Sequence, residues 1–168
     1  MAGSEVPMRQ AFALLLPIVL GAGSPTERSP EQRQFDFWVG EWEVHDAKGQ
    51  RLGRNRIVPL LGGTVLQEHW EGSQGGAGTS LNAYLPARKA WRQSWVDAKG
   101  GSLDLFGGRE GDAMVLRGTT EGPKGRMLER ITWTPLPDGR VRQLWEQSPD
   151  GGATWTVSFD GYYSRRKG

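Results

Sequence analysis

Glu68 and Glu129 are the residues of this sequence whose type and setting could do chemistry. Each lies in a run of alternating character. Leu66, Glu68 and Trp70 share one side of the first run, and Met127, Glu129, Ile131 and Trp133 share one side of the second. A carboxylate on an apolar, tryptophan-bearing face must find hydrogen-bond partners or shift its pKa upward. A carboxyl shifted in this way serves as a general acid or base near neutral pH, and two that face each other would form an acid–base pair. His69 follows Glu68 directly, so in an extended chain it points to the opposite face and does not form a dyad with it. Arg92, Arg117, Arg130 and Arg142 offer the alternative that such acids are structural ion pairs.

Other chemistries lack their residues. The chain has no cysteine, which excludes disulfides, thiol catalysis, cysteine zinc sites and a lipidated cysteine. His45 and His69 are its only histidines, so one chain cannot build a multi-histidine metal centre. No Gly-x-Ser-x-Gly nucleophile turn occurs. Gly75-Gly76-Ala77-Gly78 lacks the Lys-Ser/Thr of a phosphate loop and reads as a hairpin or portal loop. A formal net charge of +2, with basic and acidic residues interspersed, gives no nucleic-acid footprint. No cofactor motif is found, and the sequence does not specify an oligomeric state.

The elements that must position the two glutamates are strands. Gly 25 and Pro 10 in 168 residues mean many turns. Turn signals such as Asp46-Ala47-Lys48-Gly49, Asp97 to Gly101, Pro137-Asp138-Gly139 and Pro149-Asp150-Gly151-Gly152 recur at all-β spacing. Roughly eight to ten runs of strand length lie between them. No run of a dozen residues has a helical period, and a short helical turn is expected only within Glu31 to Val39. Several runs put tryptophan on one face and polar residues on the other. Trp91, Gln93, Trp95 and Asp97 align, as do Trp155, Val157 and Phe159. Hairpins in line without crossover helices close most simply into an antiparallel up-and-down β-barrel, with a β-sandwich as the alternative. Inward-facing tryptophans with a few fixed polar groups describe a ligand pocket. The candidate ligand-binding residues are therefore Trp70, Trp95, Trp133, Trp145, Glu68, Gln93, Glu129 and Gln143.

The first part of the chain has a different character. Ala11 to Leu20 is an apolar run preceded by Arg9 and followed by Gly21-Ala22-Gly23-Ser24, the pattern of a secretory signal. The run is too short to span a bilayer, and Met8 is an alternative start. Residues 1–23 are thus expected to be a signal peptide, 24–34 a polar linker and 35–168 a single domain, secreted or periplasmic, with no integral membrane segment once the signal is removed.

Phe35-Asp36-Phe37-Trp38-Val39-Gly40-Glu41-Trp42 opens that domain, and its Gly40-Glu41-Trp42 resembles the Gly-x-Trp signature of lipocalins and related calycin barrels. The resemblance implies that Trp42 packs at the closed end of the barrel, with Arg165 or Arg166 across it. With Leu60 to Gly72 and Trp95-Val96-Asp97, the chain from 35 to 166 resembles a widespread bacterial family of uncharacterised, often secreted, lipocalin-like domains. That likeness implies a fold and no activity. The glycine-rich extension of nitrobindin-type haem barrels is absent, since Glu43-Val44-His45 follows Trp42, so no haem is expected. Ser148 to Trp155 also fits the Asp-box of sialidase propellers; occurring once, it reads as a structural hairpin built on Asp150 and Trp155. Three readings of function follow: an exported barrel holding a small, partly apolar ligand; a small lipocalin-like isomerase or hydrolase with Glu68 or Glu129 as general base; or a structural barrel with a filled core.

Overall fold

The computed structural model of the chain describes residues 27–122 and 125–166. The expected signal peptide lies outside these residues. Ten strands follow one another in chain order: β1 (Gly40–His45), β2 (Arg51–Leu60), β3 (Val65–Gly72), β4 (Ala77–Leu85), β5 (Ala90–Asp97), β6 (Ser102–Glu110), β7 (Ala113–Gly122), β8 (Gly125–Pro135), β9 (Val141–Ser148) and β10 (Thr156–Arg165). Each pairs antiparallel with its neighbours, and β1 pairs with both β2 and β10, so the sheet is a closed up-and-down barrel. The β-sandwich alternative is excluded. Two 3-10 turns, Glu31–Arg33 and Asp36–Trp38, precede β1 and supply the expected N-terminal helical turn. No helix among the described residues is long and apolar enough to cross a membrane.

The alternation seen in the sequence sets the barrel's inside. Trp42 and Val44 of β1, Asn55 and Ile57 of β2, Leu66 and Glu68 of β3, and Trp91 and Gln93 of β5 are all buried. One end of the barrel is closed by a solid aromatic core. There Phe35 stacks on Trp38 with ring centroids 4.9 Å apart, and Trp133 lies 5.4 Å from Trp38. Trp42 Nε1 donates to the Trp38 carbonyl at 2.9 Å, which ties the N-terminal turns to β1. Arg28 joins in, its guanidinium gripping Asp36 at 2.7 and 2.8 Å and donating to the Gly63 carbonyl at 3.0 Å. Aromatic side chains of this size each contribute on the order of 1.5–3 kcal/mol on burial, so this end anchors the fold.

Two irregularities matter at the opposite end. The β9–β10 register shifts between Val157 and Phe159. The expected shared face of Trp155, Val157 and Phe159 is thereby broken: Val157 is exposed, Trp155 precedes the strand, and Phe159 turns inward. The β6–β7 ladder begins only at Leu105 and Gly118. Ser102 to Asp104 and Thr119 to Gly122 therefore have no partner across this junction, and the wall is split there.

Candidate functional site

The site is built on Glu68. Its Oε1 accepts from Asn55 Nδ2 at 2.7 Å and its Oε2 from Ser80 Oγ at 2.7 Å. Ser80 Oγ in turn accepts from Asn82 Nδ2 at 2.8 Å, and Asn82 Oδ1 from Gln93 Nε2 at 3.0 Å. Strands β2, β3 and β5 thus contribute one inward polar residue each, and β4 two, to a network of donors that ends on one carboxylate. Tyr163, from β10, donates to Gln143 Oε1, and Asn55 Nδ2 reaches its hydroxyl at 3.4 Å. Burial raises the Glu68 pKa to about 7, against the lowering effect of Ser80 and Asn55. Desolvation therefore outweighs two hydrogen bonds, by about 3 kcal/mol at about 1.4 kcal/mol per unit. Burial, with the nearby Glu68 charge, also pushes the Tyr163 phenol well up.

Above this floor lies a cavity of about 120 Å³. Its apolar walls are Trp70, Trp95, Leu103, Ile131, Trp145 and Phe159, and its polar lining is Glu68, Gln93, Gln143 and Tyr163. Trp70, Trp95, Trp145 and Phe159 are only partly buried, so the cavity faces the end opposite the aromatic core. Trp70 meets Phe159 edge to face at 5.7 Å. Trp95 lies flat on Gly78, where a Cβ would overlap the indole ring, so this strand glycine sets the ring's position.

Glu129 occupies a second polar cluster beside this cavity. It is buried and accepts from Thr120 Oγ1 at 2.7 Å, Trp145 Nε1 at 2.6 Å and Gln147 Nε2 at 3.1 Å. It lines a groove of about 560 Å³ at the β6–β7 split, which shares Trp95, Leu103 and Trp145 with the lumen cavity. Glu68 and Glu129 thus have separate partners and separate hollows, with Trp145 a wall of both. They do not form a facing acid–base pair.

The structure brings together Glu68, Trp70, Gln93, Trp95, Gln143 and Trp145 around one cavity. It places Trp133 elsewhere, fully buried against Phe35 and Trp38 in the closed end. Asp97 sits at the rim as a turn cap, accepting from the Lys99 and Gly101 amides at 2.8 and 2.9 Å. The four arginines offered as partners for the interior acids all bond elsewhere: Arg92 with Asp104, Arg117 with Glu110, Arg130 with Glu146 and Arg142 with Asp160. Asn55, Ser80, Asn82, Phe159 and Tyr163 were not singled out from the sequence. The signal was present for Asn55, which alternates with Gly53 and Ile57, and for Ser80 and Asn82, which alternate around Leu81. Small polar residues on an otherwise inward parity mark a polar floor.

The remaining structural candidates lie outside the cavity. The Arg165 guanidinium carbon stands 4.3 Å from the Trp42 ring centroid, while Arg166 turns to Glu41 at 3.6 Å. Asp150 organises the last hairpin, accepting from the Thr154 amide at 2.9 Å and the Ser148 hydroxyl at 2.8 Å. Trp155 closes that turn through Nε1 to the Gly152 carbonyl at 3.1 Å, beneath Arg130.

Fold and site together define a closed ten-stranded antiparallel barrel with an aromatic-walled, carboxylate-floored lumen. No protein-family model matches the chain, and no curated protein is significantly similar to it.

Proposed function

We propose that the chain is an exported, lipocalin-like barrel that binds a small, partly apolar ligand in its lumen. The carrying observation is the cavity itself: tryptophan and phenylalanine walls with Glu68, Gln93, Gln143 and Tyr163 at the polar end. At about 120 Å³ it is somewhat smaller than an apolar cavity of about 150 Å³ that takes up benzene. The ligand is accordingly a single ring, or an aliphatic group of that size, with one polar substituent. Membership of the lipocalin-like family rests on Gly40-Glu41-Trp42 and Arg165, and export on the apolar run from Ala11 to Leu20.

Tryptophan emission of the protein, titrated with single-ring alcohols, amines and acids, tests this reading. Saturable quenching that is weakened in Trp70→Ala and Trp95→Ala is expected. A flat response from folded protein across the whole panel would refute it and favour a filled core. The N-terminal sequence of protein recovered from the exporting cell checks the leader.

A second reading has one observation in its favour. Glu68 is buried without a basic partner and its pKa is raised to about 7, as a general base for proton abstraction requires. Proton exchange into small cyclic ketones, followed by NMR and abolished by Glu68→Gln, would support an enzyme.

A further inference from the structure

We propose that the lumen ligand is a primary amine, bound as its ammonium on a small apolar body, with Glu68 as its counter-charge. The inference rests on the ligand-binding reading above and specifies the chemical class of that ligand.

The argument begins with charge. Glu68 and Glu129 are both buried inside the barrel. Every hydrogen bond they accept comes from a neutral donor: Asn55 and Ser80 for one, Thr120, Trp145 and Gln147 for the other. Neither takes part in an ion pair among the described residues, although arginines pair freely with acids on the outer wall. Among the described residues no lysine or arginine lines the lumen cavity. A buried carboxylate without a cation is costly unless it takes up a proton or a positive ligand. An ammonium placed on Glu68 supplies the charge that the fold omits.

Hydrogen-bond capacity points the same way. Glu68 lines the cavity, and each of its carboxylate oxygens accepts a single hydrogen bond, so both keep a free lone pair. An ammonium has three donors and no acceptor. An anionic head would add charge of the wrong sign, and a hydroxyl would bring one donor and no charge.

The walls and the split complete the match. Trp70, Trp95 and Trp145 present indole rings around the cavity, and aromatic walls attract ammonium groups through the ring quadrupole. The groove at the β6–β7 junction is lined by Asp97, Glu121 and Glu129, with Asp104 held by Arg92 on the outer wall, and no basic residue is in its lining among the described residues. It shares walls with the lumen and would concentrate cations at that side of the barrel.

The experiment uses the intact protein at pH 8 and three probes of nearly equal shape: benzylamine, benzyl alcohol and benzoate. Affinities are read by tryptophan emission and by calorimetry. Benzylamine should bind at least tenfold more tightly than benzyl alcohol, with benzoate weakest. Glu68→Gln should abolish the preference for the amine over the alcohol. If benzyl alcohol or benzoate binds as tightly as the amine, the cation inference is overturned while lumen binding stands. If none of the three binds to folded protein, both readings fall. The wild-type ranking decides the matter even if the variant does not fold.

Discussion

Arg165 lies across Trp42, joining the last strand to the first. Its guanidinium carbon is 4.3 Å from the indole centroid, and its Nη1 donates to the Val39 carbonyl at 2.8 Å. Gly40 makes room for it. Its φ is +140°, and a Cβ there would overlap Arg165 Nη1. The β1–β10 seam, which closes the barrel, is therefore clasped by a cation, an aromatic face and a glycine.

Breaking the clasp should destabilise without touching the lumen. Arg165→Ala is expected to cost about 1–2 kcal/mol, for one cation–π contact and one charge-assisted hydrogen bond. Gly40→Ala should cost about 1–3 kcal/mol, since it adds backbone strain to displacement of the same arginine. Urea unfolding measures both. Cost confined to Arg165→Ala, with Gly40→Ala neutral, would contradict the steric account.

Glu68 gives the fold a pH dependence of definite sign. Its pKa is about 7 in the folded protein against 4.5 ordinarily, so the native state holds the extra proton between those values. That contribution is fully present below about pH 4.5 and is lost as pH rises through about 7, by about 3 kcal/mol in all. Glu68→Gln keeps a neutral side chain throughout. The difference in melting temperature between variant and wild type should therefore shift in the variant's favour from pH 4.5 to pH 8. A difference that does not change with pH would mean Glu68 titrates normally.

Amine binding should follow the same group in the opposite sense. Protonating Glu68 removes the counter-charge, so benzylamine affinity should fall as pH drops below about 7, while benzyl alcohol affinity stays level. Asn55, Ser80 and Tyr163 surround the carboxyl; of these only Tyr163 titrates, and its phenol is pushed well above this range. Calorimetry between pH 5.5 and 8 reads the slope.

Gly78 controls the shape of the cavity through Trp95. A methyl group at this position must displace the indole, so Gly78→Ala is expected to weaken binding of any lumen probe about tenfold, or about 1.4 kcal/mol. Gly108→Ala, whose Cβ meets nothing within 4 Å and whose φ is not in the left-handed region, leaves the cavity alone and serves as the control. Equal affinities for the two variants would detach Trp95 from the site.

Asp150 makes the last hairpin acid-sensitive. The Thr154 hydroxyl, the Thr154 amide and the Ser148 hydroxyl hold its carboxyl down to about 2. Its contribution is present above the ordinary value of 3.8 and disappears as pH falls toward 2. Asp150→Asn should lower the melting temperature at pH 6 and have little effect at pH 2. Amide NMR signals of Gly152 and Thr154 report the loss locally.

Much of the barrel was legible because its determinants are local. Strict alternation in Leu66-Glu68-Trp70 and Trp91-Gln93-Trp95 separated two faces of each strand, and the Asp-Gly and Gly-Gly turns marked the hairpins; that the tryptophan-bearing face is the inner one comes from the closed barrel. The ion-pair alternative for the interior acids overlooked that parity. Arg92 alternates against Gln93 and Arg130 against Glu129, so both face outward, where Asp104 and Glu146 meet them. Depth along a strand was less legible. Trp133 shares a face with Glu129, yet four residues carry it into the closed end, where Phe35 and Trp38 return from outside the sheet to cover it. Val157 was misplaced because a bulge leaves no signature in an alternating run. The β6–β7 split was invisible for a similar reason, since it depends on how far two strands stay together.

That split also sets how the molecule breathes. A closed cylinder has no frayed margin, yet here the stretches Ser102 to Asp104 and Thr119 to Gly122 are paired on one side only, so their junction-facing amides lack a ladder partner. Excursions from the native state should start at this slit and spread along β6 and β7, leaving the clasped β1–β10 seam until last. Amide hydrogen exchange would then grade the wall from a labile side to a protected one. A barrel that opens along one predetermined line can exchange its contents without unfolding.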